Sequence, residues 1–304
     1  MNPLQRLAAS YWAPAPAKRL AMLRILIGGY TVLYLAFGIG GMVSVAKLAT
    51  RQFKPVGPIA VLSEPLAYGL VVAIAVAAIA IGIAFVLGFR HRITGPLFAL
   101  AALWVISYRN SWGMIFHTEN LMVLHVIVVG LAPGAADAWS WDARGRDTPA
   151  DGARYGWPIK LLCILTLTTY FLAGYAKLSV SGVHWATSDT LRGLVAYDNV
   201  RKIELGDMHS PIGAALVGQG WLFPPLAAVS LFLEVAAPLA LLGRRIAKVW
   251  CVAAWSFHVG VLAVMAIMFH YPVLGVAYAS FFAVERLGER VLAWRNRRRN
   301  KPES

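Results

Sequence analysis

Long apolar runs broken by short polar stretches set the pattern of this chain. The run at 66–89 carries no charged residue. At about 1.5 Å of rise per residue, a helix of that length crosses the ~30 Å hydrocarbon layer of a bilayer. Lipid offers the backbone no hydrogen-bond partners, so such a run is expected to be helical. The same reading gives candidate spans at 20–45, 66–89, 93–112, 117–132, 157–178, 221–243, 246–271 and 273–284. The predicted fold class is therefore all-α, a polytopic bundle of about eight transmembrane helices. The fourth run is short and polar at its outer end. The last is short too, and it is expected to continue as an interfacial helix through Trp294.

Between the spans, residues 133–155 are rich in Gly, Ala, Asp and Arg and read as a solvated inner connection. Residues 179–220 form a longer outer loop with Trp185, a mixed-charge stretch at 189–207 and Pro211, expected to hold helices lying across the outer face. The division is a single transmembrane domain over 1–304: residues 1–19 cytoplasmic, 20–284 the bundle, 285–304 a basic cytoplasmic tail. No soluble domain, internal repeat or pair of broken helices is legible. Residues 20–45 read as a first span, not as a cleaved signal peptide.

Composition agrees with a membrane class, with 59% hydrophobic and only 14% charged residues. Against 14 acidic residues stand 28 Lys and Arg, a formal net charge of +14. Nucleic acid is not the expected partner, because the cations flank apolar runs in short loops and a tail. That pattern orients membrane helices and attracts anionic lipid, which makes membrane lipids the expected partner. With the N-terminus inside and eight alternating spans, most cations fall inside, so both termini are predicted to be cytoplasmic. The Lys47 to Lys54 loop is a local exception. Cys163 and Cys251 fall inside apolar runs and read as buried thiols.

Ionisable groups within apolar runs are costly and mark candidate sites. Glu234 lies deep in its run and needs a partner or a proton. Arg24, one turn inside the first run, is nearest by depth, so an Arg24–Glu234 structural pair is expected, with a proton relay through Glu234 as the rival. Tyr170, Gly174 and Lys177 share one helix face at i, i+4, i+7. Gly174 leaves room for a helix or ligand. Lys177 is either a snorkelling anchor or an amine held in an apolar pocket, where desolvation favours the neutral base. His117 and Glu119 open the fourth run, as an interfacial cap or as site residues at Lys177's depth. His258, mid-span, is either a buried imidazole bonded to a neighbouring helix or part of the site. No metal is expected, since His117 and His125 lie two turns apart and no Cys pair exists.

Four stretches carry a resemblance. The run YFLAGYAKL from Tyr170 to Leu178, followed by Trp185, is similar to the segment of vitamin K-dependent γ-carboxylases that holds their proposed catalytic lysine. The HTENL run opening at His117, with Trp141 and Asp142 after it, resembles that family's histidine-bearing helix. Leu231 to Glu234 and Phe257 with His258 resemble a later helix pair. The opening run from Leu20 to Gly29 resembles the Arg-containing first helix of the wider HTTM group of bacterial membrane proteins. The resemblance implies catalytic roles for Lys177 and His117, and a site for a reduced quinone, menaquinone or vitamin K-like, at His117, Tyr170, Gly174 and His258. It implies quinol-linked oxidation or peptide modification with Lys177 as base. Phe116 stands where the carboxylases have an asparagine, and Val261 replaces a polar residue. The carboxylases' large lumenal substrate region has no counterpart in this sequence. Two other functions stay open: an accessory protein for peptide maturation or secretion, meeting a peptide or protein partner at the outer face, and a proton-coupled small-solute transporter.

Overall fold

The computed structural model describes residue 5, residues 9–113, residue 115 and residues 117–299, with the backbone alone at His117, Arg295, Asn296 and Arg299. Phe116, Arg6 and Lys301 lie outside the described residues. All regular structure among them is helical, apart from one isolated bridge between Ala15 and Gly152. In chain order the helices are α1 (Ala17–Ser44), α2 (Tyr68–Leu87), α3 (His91–Asn110), α4 (Asn120–Leu131), α5 (Ala153–Ser181), α6 (His184–Thr187), α7 (Thr190–Glu204), α8 (Pro211–Val217), α9 (Phe223–Val235), α10 (Arg244–Met265), α11 (His270–Val273) and α12 (Glu285–Arg299). The protein is a multi-pass membrane protein, and its all-α class is as expected.

The expected eight runs do not all form continuous helices. By length and composition, four helices among the described residues are long and apolar enough to cross a membrane, beginning at Ala17, Tyr68, Ala153 and Arg244; a bent pair, Pro211–Val217 with Gly220–Val235, would make five. Helix α3 has the length of a span but carries Arg92 and Arg109. The fourth apolar run yields only the 12 residues of α4. The run at 221–243 yields 13 helical residues before a 3-10 stretch, Ala237–Leu242, that starts beside Pro238. The run at 273–284 forms no continuous α-helix: it holds a 3-10 stretch, Val276–Phe281, next to Gly275 with φ of 76°. Apolar composition persists through these stretches, but proline and positive-φ glycine interrupt the α-helical hydrogen-bond ladder.

The chain divides into two compact units, one of residues 1–162 with 282–304, the other of residues 163–281. In the first, α2 runs against α1 and α3, and α3 against α4. Gly95 and Gly130 meet backbone to backbone, each placed where a Cβ would overlap the other's carbonyl oxygen. The 133–155 connection is not simply solvated. Ala135, Ala136 and Ala138 are buried, and the Asp142 carboxylate accepts hydrogen bonds from the main-chain N–H groups of Arg90 and His91, both at 2.8 Å, at the start of α3. In the second unit, α5 from Cys163 onward, α9 and α10 supply the apolar walls, and α6 to α8 fold onto them.

Candidate functional site

The second unit gathers polar side chains along one face of α5. Residues spaced i, i+4, i+7 on a helix line one face, so Tyr170, Gly174 and Lys177 rise along the same stripe. At the upper end, Lys177 donates to both carboxylate oxygens of Glu234, at 2.5 and 2.6 Å. The lysine side chain is 22% exposed and the glutamate 5%. The ammonium also lies 5.0 Å from the ring centroid of Trp185, carried by the short helix α6. Between the two polar levels sits Gly174. A Cβ there would come within 2.9 Å of Glu234 Cβ and Val235 Cγ2, so the absence of a side chain is what lets α9 bring its carboxylate to the lysine.

One turn and more below, the Tyr170 hydroxyl bonds His258 Nε2 at 2.7 Å and the Tyr278 hydroxyl at 2.5 Å. The Tyr170 ring sits edge-on against Trp250, centroids 5.0 Å apart, while Trp250 Nε1 donates to the Leu233 carbonyl. Trp250, Ala254 and His258 are buried at i, i+4, i+8 along α10, which aims the imidazole at α5. The other side of that imidazole meets the Phe269 ring. Among the described residues, His258 Nδ1 and Trp185 Nε1 are buried nitrogens without a hydrogen-bond partner. Such atoms cost free energy in an apolar setting unless something accepts or donates there.

Several expectations are corrected by this arrangement. The Arg24–Glu234 pair is replaced by two separate solutions. Glu234 takes Lys177, while Arg24, fully buried in α1, donates Nη1 to the Ala135 carbonyl at 2.7 Å and Nη2 to the Trp139 carbonyl at 2.6 Å. Depth along the chain misplaced Glu234 because α9 is only 13 residues long and the residue sits at its last turn. Lys177 is also not a lone amine, since both oxygens of one carboxylate accept from it. His117 opens a 3-10 turn, His117–Glu119, and its side chain lies outside the described residues.

The residues missed at the sequence level are Tyr278 and Trp250, which complete the polar floor. Trp250 was findable, lying two turns before His258 on the same face of α10. Tyr278 was not, because the 3-10 stretch that carries it has no helical periodicity to read. The first unit holds a second polar cluster. There Glu119 Oε1 accepts from the Tyr34 hydroxyl at 2.5 Å and from Arg109 Nη1 at 2.9 Å, so Glu119 is a buried ion-pair partner instead of an interfacial group.

Chemically, the α5 stripe combines an ion pair with a hydroxyl–imidazole chain in a mostly apolar wall. The pair is one ammonium donating to the two oxygens of one carboxylate. Two unpartnered nitrogens and nearby aromatic rings suit an apolar molecule carrying a few oxygens. A family model, the HTTM domain, matches residues 12–285 of the chain. No curated protein and no solved structure matches it.

Proposed function

The chain belongs to the HTTM domain family, a membrane domain of vitamin K-dependent carboxylase-like proteins, and from that premise we propose that it carries out quinol-linked oxidation with Lys177 as base. The observation behind this reading is the Lys177–Glu234 pair, set in an apolar helix wall on the same face as Tyr170. A buried carboxylate gives the lysine somewhere to put its proton. When the proton passes to Glu234, the pair becomes an amine facing a carboxylic acid, and the amine is free to take a hydroxyl proton from a substrate. Lys177 is then an ammonium beside the acid form of Glu234, and release of the Glu234 proton to water at the partly exposed lysine end would restore the resting ammonium–carboxylate pair.

A reduced quinone, the quinol, would supply two electrons for the reduction of O₂ and would itself leave as the quinone. Trp185 Nε1 and His258 Nδ1 are the buried nitrogens available to its oxygens, and the Tyr170–His258 hydrogen bond fixes the imidazole for that contact. Exposed apolar side chains on α5, such as Leu172, face outward where a prenyl tail would lie. The resemblance gives His117 a quinone contact as well, tested by menaquinone retention in His117→Ala. On this reading the protein sits in the cell membrane with both termini in the cytoplasm. A peptide partner at the outer face would make the same base a peptide-modifying one.

Purified protein in nanodiscs with menaquinol tests the proposal. Oxygen uptake is expected for the wild type and is abolished in Lys177→Ala. Uptake unchanged by that substitution would remove Lys177 from the role. A second reading, the proton-coupled transporter, draws support from one observation: the chain turns by 101° between α8 and the helical stretch that carries Glu234, and broken helices line transporter sites. Glu234-dependent solute uptake by vesicles, with no oxygen consumption, would put that reading in place of the first.

A further inference from the structure

Helix α7 is amphipathic the wrong way round for a helix lying in water. Its buried residues are Val195, Asp198, Asn199 and Lys202, at i, i+3, i+4, i+7, so one stripe faces the protein and is mostly polar. The opposite arc exposes Leu194, Tyr197, Val200 and Ile203, and its outward charges, Arg201 and Glu204, fall in the last turn. A surface helix in water shows the reverse, apolar inward and polar outward.

The inward polar residues have a definite task. Helix α10 ends at Met265, and Ala266 follows with φ of 51°. The carbonyls of a helix's last turn have no partners within the helix. Here they are taken one by one: Ser210 donates to the Ala263 carbonyl at 2.5 Å, Asn199 to Val264 at 3.2 Å and Lys202 to Met265 at 2.5 Å. Lys202 is itself neutralised by Asp198 at 2.8 Å. In contact with water these carbonyls would be solvated at little cost. Three donors from neighbouring segments, one of them a charge-balanced lysine, are what a water-poor surrounding demands.

We infer that α7 is immersed at the acyl boundary of the bilayer, with its Leu194–Tyr197–Val200–Ile203 face against lipid chains and its polar face spent on the broken end of α10. The occupant of the exposed face is lipid hydrocarbon. Two further observations favour lipid over a protein partner. The apolar exposure continues onto neighbouring segments at Val183, Ile212 and Trp221, as a bilayer contact would. The charges Arg201, Glu204 and Asp207 gather at and just past the C-terminal end of the helix, as expected of a segment that leaves the acyl region among headgroups. The inference does not depend on Lys177 being a base.

Spin labels test it. With Cys163→Ala and Cys251→Ala as background, single cysteines replace Leu194, Tyr197, Val200 and Ile203, and Val76 on α2 as a lipid-facing reference. In proteoliposomes, the four labels are expected to be relaxed more by O₂ than by a water-soluble nickel chelate, as at Val76, and a label at Glu204 less so. Greater access to nickel at Tyr197→Cys and Val200→Cys would put the face in water and overturn the inference. Exclusion of both relaxants, or dipolar broadening, would mean that protein covers it and would overturn it equally. If the cysteine-free background does not fold, wild-type protein with a diazirine-bearing acyl chain decides. Adducts on residues 190–204 are expected, and their absence while α2 is labelled would sink the idea.

Discussion

Two cations, the buried Arg24 in the first unit and the half-buried Lys177 in the second, are stabilised in opposite ways. Arg24 donates to the main-chain carbonyls of Ala135 and Trp139, groups that exchange no proton with it. Its fork spans two acceptors at once and ties α1 to the 133–155 connection, a fixed arrangement suited to guanidinium. Lys177 faces Glu234, a group that can take its proton, and lies below Trp185 instead of under a layer of backbone. Arg24 is held by acceptors that cannot take a proton, Lys177 by a carboxylate that can, and on the proposed reading that difference separates the structural charge from the chemical one.

The sharpest test of that contrast is the Lys177→Ala and Glu234→Leu pair. Either change alone is expected to remove the proposed turnover and to leave an uncompensated group, at a cost of about 3–5 kcal/mol in stability. The double variant is expected to recover most of that stability and none of the activity, read by chemical unfolding in detergent beside oxygen uptake. Recovery of activity in the double variant would break the comparison. Next, Arg24→Ala strips partners from two carbonyls and opens a void, with a loss of about 3–5 kcal/mol. Turnover per folded molecule is expected to stay at the wild-type level; a stable Arg24→Ala protein without turnover would place Arg24 in the chemistry after all. Smaller is Gly174→Val. Its Cβ meets Glu234 Cβ and Val235 at 2.9 Å, so α9 must shift, for about 1–3 kcal/mol of stability and a fall in rate larger than that shift in stability accounts for.

The smallest effect belongs to a pair outside the membrane layer. Burial on its own raises the Glu285 carboxyl, but the Arg19 guanidinium, bonded to both its oxygens at 2.9 and 2.7 Å, holds it below the ordinary value of 4.5. A lowered folded-state value gives stability that is present above 4.5 and lost as pH falls through the folded value. Glu285→Gln should therefore melt lower than wild type at neutral pH, by the equivalent of about 1 kcal/mol or less, and the two curves should converge in acid. A gap that persisted at low pH would show that packing, and not charge, sets the contribution of this contact.

Helical class and the first spans were legible because hydropathy alone decides them: α1, α2, α5 and α10 lie where the apolar runs put them. The later runs were not, since proline at 238 and the glycine at 275 end helices inside unbroken apolar composition, where hydropathy has no contrast to read. Tyr170, Gly174 and Lys177 could be placed on one face from spacing. Their partners could not, because Glu234 is 57 residues from Lys177 and Tyr278 is 108 from Tyr170, and no local period reports such distances. Depth counting failed at Glu234 for the same cause, a helix shorter than its hydrophobic run. The inward polar stripe of α7 was visible as mixed charge at 189–207, and only the carbonyls at the end of α10 explain it.

The Gly95–Gly130 contact has a consequence for how the chain reaches its membrane during synthesis. Helix α4 has 12 residues, about 18 Å of rise, too little to partition from the translocon unaided. Its main chain lies against that of α3, which precedes it in the sequence. Membrane insertion of α4 is therefore expected to depend on α3, the glycine seam giving the shorter helix a packed partner in place of lipid.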